Sequence, residues 1–306
     1  MALKIIFMGT PNFAVPILKA IHNSDHKILE VYTQPANKSG RGQKINHSDI
    51  YKYAEQLNLK VRCPVSLEAT EEINYFKKLE PDLVIVAAYG KILPTKLLNI
   101  NKLDFINVHA SLLPKWRGAA PIQRAIMNMD TETGISIMKI IPQLDAGPVM
   151  MQEKIKITHD MSHEFLSKKM SELGAKLILD SLKLIENNIA NFIDQKNSEA
   201  TYAKKIQKIE SKINWHENAK KIIAKINAFC PNPGCWFEFL GARIKIIRAI
   251  EVKKKGEAGT FLDSKMTIAC AKNAIRILEL KKEGKKQMQA DEYLKGNKIK
   301  IGQKIS

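Results

Sequence analysis

The chain has 306 residues, 45% of them hydrophobic and 26% charged, the balance of a globular protein long enough to form two domains, each with a core. No apolar run approaches the roughly 18 residues that a membrane span needs, and the opening stretch meets Gly9 and Pro11 too soon for a secretory leader. A formal net charge of +18 calls for a polyanionic partner, nucleic acid first.

In chain order, Lys4–Met8 reads as a buried strand, followed by a Gly-Thr-Pro turn and a helix over Phe13–Ile21. Further strands are expected at Ile28–Thr33, Leu83–Ala87, Asp104–His109 and Ile135–Ile141. Helical patterns lie between several of them, including one after Ser66 and one over Pro121–Met127. Strands alternating with helices predict an α/β domain with a mainly parallel, doubly wound, Rossmann-like sheet. Residues 162–187 read as one long helix, with Leu166, Met170, Leu173, Leu177, Ile178 and Leu182 forming a stripe at helical spacing. Residues 190–205 are polar and weakly periodic, as a linker would be. Beyond a helix near His216–Phe229, the short stretches "CWFEFL", "ARIKIIRAIEV", "MTIACA" and "AIRILEL" predict a small β-barrel. The expected organisation is a catalytic domain over 1–189, a linker over 190–205 and a basic domain over 206–306.

The charge is unevenly spread. Residues 201–306 hold 24 Lys and Arg against 10 Asp and Glu, whereas the first 200 hold 25 against 21. Lys makes up 42 of the 49 basic residues, a bias that genome composition alone could produce, but composition alone would not place most of the excess in the last third. The four cysteines (Cys63, Cys230, Cys235 and Cys270) include no C-x-x-C pair, so neither a zinc ribbon nor a disulfide framework is indicated. A cytoplasmic protein with no metal is expected.

The chemistry is expected at the carboxyl ends of the strands, where open α/β sheets bind ligands. In "NVHASLLPKWRGAAPIQRAI", Asn107 and His109 are two residues apart at a strand end and so project to the same face. The segment "QLDAGPVM" puts Asp145 in a loop just after another strand. His109 can exchange protons near neutral pH, Asn107 can donate to a developing oxyanion, and Asp145 can orient the imidazole and stabilise its charge. No Ser or Cys is placed as a covalent nucleophile, which suits acyl transfer to a substrate amine. Spacing alone does not bring Asp145 to His109.

The strings "FMGTPNFAVPIL", "AAYGKILP", "INVHASLLPKWRGAAPIQRAI" and "TGISIMKIIPQLDAGPVM" resemble the methionyl-tRNA formyltransferase family, and the likeness continues through "ATYAKKI", "AFCPNPG" and "GKKQM" over nearly the whole chain. The resemblance implies formyl transfer from 10-formyltetrahydrofolate, as co-substrate, to the amine of methionine on initiator tRNA, in support of translation initiation. It implies a formyltransferase domain followed by an OB-like barrel that binds tRNA, and no obligate protein partner. Asn107, His109 and Asp145 match the family's catalytic Asn, His and Asp. Ser111, Leu112, Leu113 and Pro114 match its folate signature, and Tyr89 and Gly90 in "AAYGKILP" join them as candidate folate contacts.

Glycinamide ribonucleotide transformylase, sugar-nucleotide formyltransferases and formyl-folate hydrolases share this catalytic trio, so the substrate must be read elsewhere. The basic C-terminal domain favours tRNA. So does "QPANKSGRGQK", which resembles the family's inserted loop at the acceptor end and makes Arg41 and Lys44 candidate tRNA contacts. Lys285 and Lys286 are candidates in the basic domain. Some positions depart from the family pattern: Asn214 stands where Asp is usual, and Asn227 and Cys230 where Arg and Asn are common. His159 and His163 have the spacing of two ligands on one helix face, but Asp160 reads as a helix cap there. Trp116 fits either stacking on a ligand or packing under the loop, and Trp215 and Trp236 read as core.

Overall fold

A computed structural model describes residues 2–39, 44–100 and 103–305. Two compact units emerge: Met1–Pro121 with Thr133–Ile155 and Ser167–Ala203, and Ile122–Glu132 with Lys156–Leu166 and Lys204–Ser306.

The first unit is built on a seven-stranded sheet. From edge to edge its strands are Val149–Lys156, Glu132–Lys139, Asp104–His109, Leu83–Ala87, Lys4–Gly9, Lys27–Tyr32 and Val61–Arg62. The five from Asp104–His109 onward run parallel, whereas Glu132–Lys139 pairs antiparallel with Asp104–His109. The sheet is therefore mainly parallel, with the reversal beside the strand that carries Asn107 and His109. "IIFM" and "LVIVA" are apolar without alternation because helices cover both faces of the central strands, which are buried throughout. The strand expected at Ile135–Ile141 begins and ends earlier, at Glu132 and Lys139, because the chain must turn back before Asp145. The edge strand Val149–Lys156 lies outside the expected set: from Met151 to Lys156 its residues alternate half-buried and exposed, but the polar Glu153 on the half-buried face hides that alternation from the sequence.

Local signals account for the helices. Val15–His22 carries Pro16 in its first turn, where the missing N–H costs nothing. Asp49–Gln56 is capped by Ser48, whose hydroxyl accepts from Tyr51 N–H at 2.9 Å. Thr70–Lys78 has Glu71 and Glu72 in its first turn and Lys77 and Lys78 in its last, matching the helix dipole. The long helix spans His163–Glu186, and Leu166, Met170, Leu177, Ile178 and Leu182 of its stripe are buried. Its cap is Ser162, which accepts from Phe165 N–H at 3.3 Å. Asp160, expected in that role, instead accepts from the Thr158 hydroxyl at 2.5 Å.

The second unit holds a five-stranded antiparallel sheet. Its order is Cys235–Phe239, Ala242–Val252, Ala274–Lys282, Thr267–Ala269, with Gln287–Gln289 also on Ala274–Lys282. Cys235–Phe239 alternates buried and half-buried residues, as a strand with one covered face must. The helix Ala219–Phe229 buries Ile222, Ile226 and Phe229, and Trp215 meets Phe237 edge-on at 5.5 Å. Asn214, a departure from the family pattern, accepts from His216 N–H at 3.1 Å; the turn needs an acceptor, which Asn supplies as Asp would. Asn227 donates to His159 C=O at 2.9 Å.

One ion pair gives this unit a pH dependence. Arg124 reaches the two carboxylate oxygens of Glu210 at 2.6 and 3.0 Å, and Gln207 N–H adds a third bond at 2.8 Å. The Arg124 hydrogen bond holds the Glu210 carboxyl below its ordinary value. A depressed folded value contributes stability that is present above the unfolded value, about 4.3, and is lost as pH falls through the folded one. The gap in urea midpoint between wild type and Glu210→Gln should therefore be widest near neutrality and close on acidification below about pH 4. An unchanging gap would assign the loss to packing.

Candidate active site

Loops from three parallel strands meet at their carboxyl ends. The carbonyl of Tyr89 accepts from the Thr10 hydroxyl at 2.7 Å and from the Gln34 amide at 2.9 Å. The Tyr89 ring points into the apolar core with Ile6, Tyr32 and Val86, where burial pushes its phenol up to about 12. Only its backbone faces the loops. Gly90, at φ +81°, leaves room for the Gln34 amide, which a Cβ would meet at 2.4 Å.

Asn107 and His109 leave the sheet on one face and Val108 on the other; Val108 and His109 are buried and Asn107 is half-buried. His109 Nδ1 lies 3.8 Å from Asp145 Oδ2, beyond hydrogen-bond range but within that of an ion pair. His109 Nε2 lies 3.1 Å from the Trp116 carbonyl, which can only accept, so this nitrogen carries the proton here. Asp145 Oδ2 also accepts from Gly118 N–H at 2.8 Å. The fold thus brings Asp145 to the imidazole across the intervening helix and strand.

What holds Asp145 there escaped the sequence reading. Its φ is +47°, a conformation that a non-glycine residue keeps only when neighbours impose it. Two residues on, a Cβ at Gly147 would sit 1.9 Å from the Lys139 carbonyl oxygen, so only glycine lets the loop close on the strand. The Gln195 amide donates to the carbonyls of Asp145 and Gly147 at 2.9 and 2.7 Å. Its oxygen accepts from Arg117 Nε and Nη2 at 3.0 and 2.8 Å, and Nη2 also reaches Asn197 at 2.9 Å. Arg117 is buried and stands inside a motif that the sequence made conspicuous. Gln195 lies in an aperiodic polar stretch that carries no signal.

The Ser111–Pro114 segment is internally braced. The Ser111 hydroxyl donates to Lys115 C=O at 2.6 Å. Ser136 donates to Ser111 C=O at 2.6 Å and accepts from Leu113 N–H at 3.0 Å. Gln152 donates to Leu113 C=O at 2.9 Å. Ser111 and Leu113 are buried, which leaves Leu112 and Pro114 to present apolar surface. Arg41 lies outside the described residues, as does the side chain of Lys44, whose backbone opens the short strand Lys44–Asn46. Among the described residues, no three His, Cys, Asp or Glu side chains are grouped to hold a metal, and no helix is long and apolar enough to cross a membrane.

The second unit carries a cleft of about 600 Å³. Lys208, Arg243, Lys245, Lys281 and Lys282 line it against a single carboxylate, Glu283. Trp236, expected in the core, is half-buried on the cleft wall, with the Arg243 guanidinium 4.2 Å from its ring centre. Lys285 and Lys286 are exposed in the turn just beyond this wall.

The sequence profile of the formyl transferase family matches residues 3–182, and that of the formyl transferase C-terminal domain matches residues 205–298. The chain is 47% identical to a methionyl-tRNA formyltransferase of Pelagibacter ubique, covering all of this chain and 99% of the relative. It is 41% identical to one of Paramagnetospirillum magneticum, covering 98% and 99%. Among solved structures, the fold is similar to HypX from Aquifex aeolicus in complex with tetrahydrofolic acid (TM-score 0.68, 16% identity, 99% of this chain and 51% of that one). It is also similar to an N-formyltransferase from Helicobacter canadensis in complex with folinic acid and dTDP-3-aminofucose (TM-score 0.66, 21% identity, 90% and 98%).

Proposed function

The chain belongs to the methionyl-tRNA formyltransferase family, and on that premise we propose that Asn107, His109 and Asp145 carry formyl transfer from 10-formyltetrahydrofolate to the amine of methionine on initiator tRNA. The observation that supports this reading is the imidazole of His109 facing the Asp145 carboxylate at 3.8 Å on the face that Asn107 shares. Such a site needs no covalent nucleophile, because the neutral substrate amine attacks the formyl carbon directly. Asn107 donates to the oxyanion as the carbon–nitrogen bond forms. With Nε2–H held by the Trp116 carbonyl, His109 takes at Nδ1 the proton released by the attacking nitrogen and hands it to the departing folate nitrogen as that bond breaks. Asp145 orients the ring and balances its charge while it carries both protons. Leu112 and Pro114 offer apolar contact to the folate, beside a segment whose polar groups are already satisfied.

The polyanionic partner is initiator methionyl-tRNA, and we assign the cleft of Arg243, Lys245, Lys281 and Lys282 to its phosphates, with Trp236 as an apolar wall. Arg41 and Lys44 remain proposed contacts at the acceptor end. The reaction belongs to translation initiation and hence to the cytoplasm.

The deciding assay compares formyl transfer to methionyl-tRNA, free methionine, glycinamide ribonucleotide and a dTDP-amino sugar. Transfer to methionyl-tRNA alone is expected; preference for a small amine would overturn the substrate. For the cleft, replacing Lys281 and Lys282 by Ala should weaken tRNA binding and flatten the slope of log affinity against log salt by up to about one unit per lost phosphate contact. Slow hydrolysis of the formyl donor without tRNA should be unchanged. An unaltered salt slope would remove the cleft from the RNA path.

A further inference from the structure

The Gln195 amide sits between a buried cation and the loop that presents Asp145. It is saturated in both directions: two donations to the carbonyls of Asp145 and Gly147 and two acceptances from Arg117. Arg117 can only donate, so it fixes which end of the amide faces it; the nitrogen must then face the two loop carbonyls. That matters because Asp145 holds a left-handed backbone conformation that an Asp would otherwise leave, and because its carboxylate stands 3.8 Å from His109 rather than locked to it by a hydrogen bond. Gly118 N–H holds one carboxylate oxygen at 2.8 Å, and the loop backbone behind it must be held as well for the carboxylate to stay on the imidazole.

We infer that Gln195 is a positioning residue for Asp145, an amide clamp oriented by Arg117 that holds the carboxylate on His109. The inference rests on the reading that His109 and Asp145 carry the chemistry. It gives a stretch with no secondary-structure signal a direct part in the site. The clamp acts on the turnover step: the loop carries the orienter of the acid-base group, and misplacement by about 1 Å in such an assembly costs up to about 100-fold in rate.

Gln195→Glu separates clamp from packing. A carboxylate still accepts both Arg117 hydrogen bonds, so the cation keeps its partner and the fold is retained, but no donor remains for the two carbonyls. We expect kcat to fall about 10- to 100-fold, with KM for methionyl-tRNA and for the formyl donor within about threefold and the urea midpoint close to wild type. Asn197→Ala, which removes another partner of Arg117 and leaves the clamp in place, should keep kcat within about twofold. Asp145→Asn in the same series tests the underlying reading: near-normal rates there would sink that reading as well. If Asp145→Asn is inactive while Gln195→Glu turns over normally, only the clamp is refuted. Loss of midpoint with unchanged kcat per folded molecule, or equal loss of kcat in Asn197→Ala, would also refute it.

Discussion

His109→Ala is expected to lower turnover by about 100- to 10,000-fold, the range for loss of a general acid-base group, and Asn107→Ala by about 100- to 1,000-fold, the range for one oxyanion donor. The larger loss falls on His109 because it serves both halves of the reaction, taking a proton at attack and returning it at departure. Asn107 acts only on the charge that develops between them. Both losses should appear in kcat and kcat/KM alike, since neither interaction exists before the formyl carbon becomes tetrahedral. Binding of tetrahydrofolate, followed by titration, should survive both changes. His109 is buried, so His109→Asn accompanies the alanine variant to limit the cavity; urea midpoints near wild type then assign the loss to chemistry. Near-normal rates in both the His109 and Asn107 variants would end the mechanistic assignment.

Gly147→Ala is the second large effect, and it acts without touching a reacting group. The added Cβ would stand 1.9 Å from the Lys139 carbonyl oxygen and 3.0 Å from its carbon. Both are backbone atoms of a sheet strand that cannot swing away as a side-chain tip would. The loop must therefore shift, and it carries Asp145 two residues upstream and a carbonyl bound by Gln195. Overpacking of this kind costs about 1–3 kcal/mol of stability, read as a lower urea midpoint. The displacement of Asp145 should cost up to about 100-fold in kcat. Retention of full activity would mean that the Asp145 loop need not close on the strand for catalysis.

The sequence by itself determined the framework of this protein. Continuous apolar runs such as Leu83–Ala87, short and rich in β-branched residues, read as strands of a covered sheet, and a stripe at helical spacing between residues 163 and 186 reads as a helix. The strand end at Asn107 and His109 was legible too, because alternation fixes which residues share a face. Only the tertiary structure decided the rest. That Asp145 reaches His109 depends on a loop return enforced by Gly147 and on an amide from residue 195, contacts distant in sequence that no local period encodes. Trp236 reads as core by composition, yet stands on a cleft wall because the strands around it present Arg243 and Lys245 to the same side. Periodicity reports how one element meets its immediate cover. Which loops from separate elements share a carbonyl, a guanidinium or a carboxylate is set only when the chain closes.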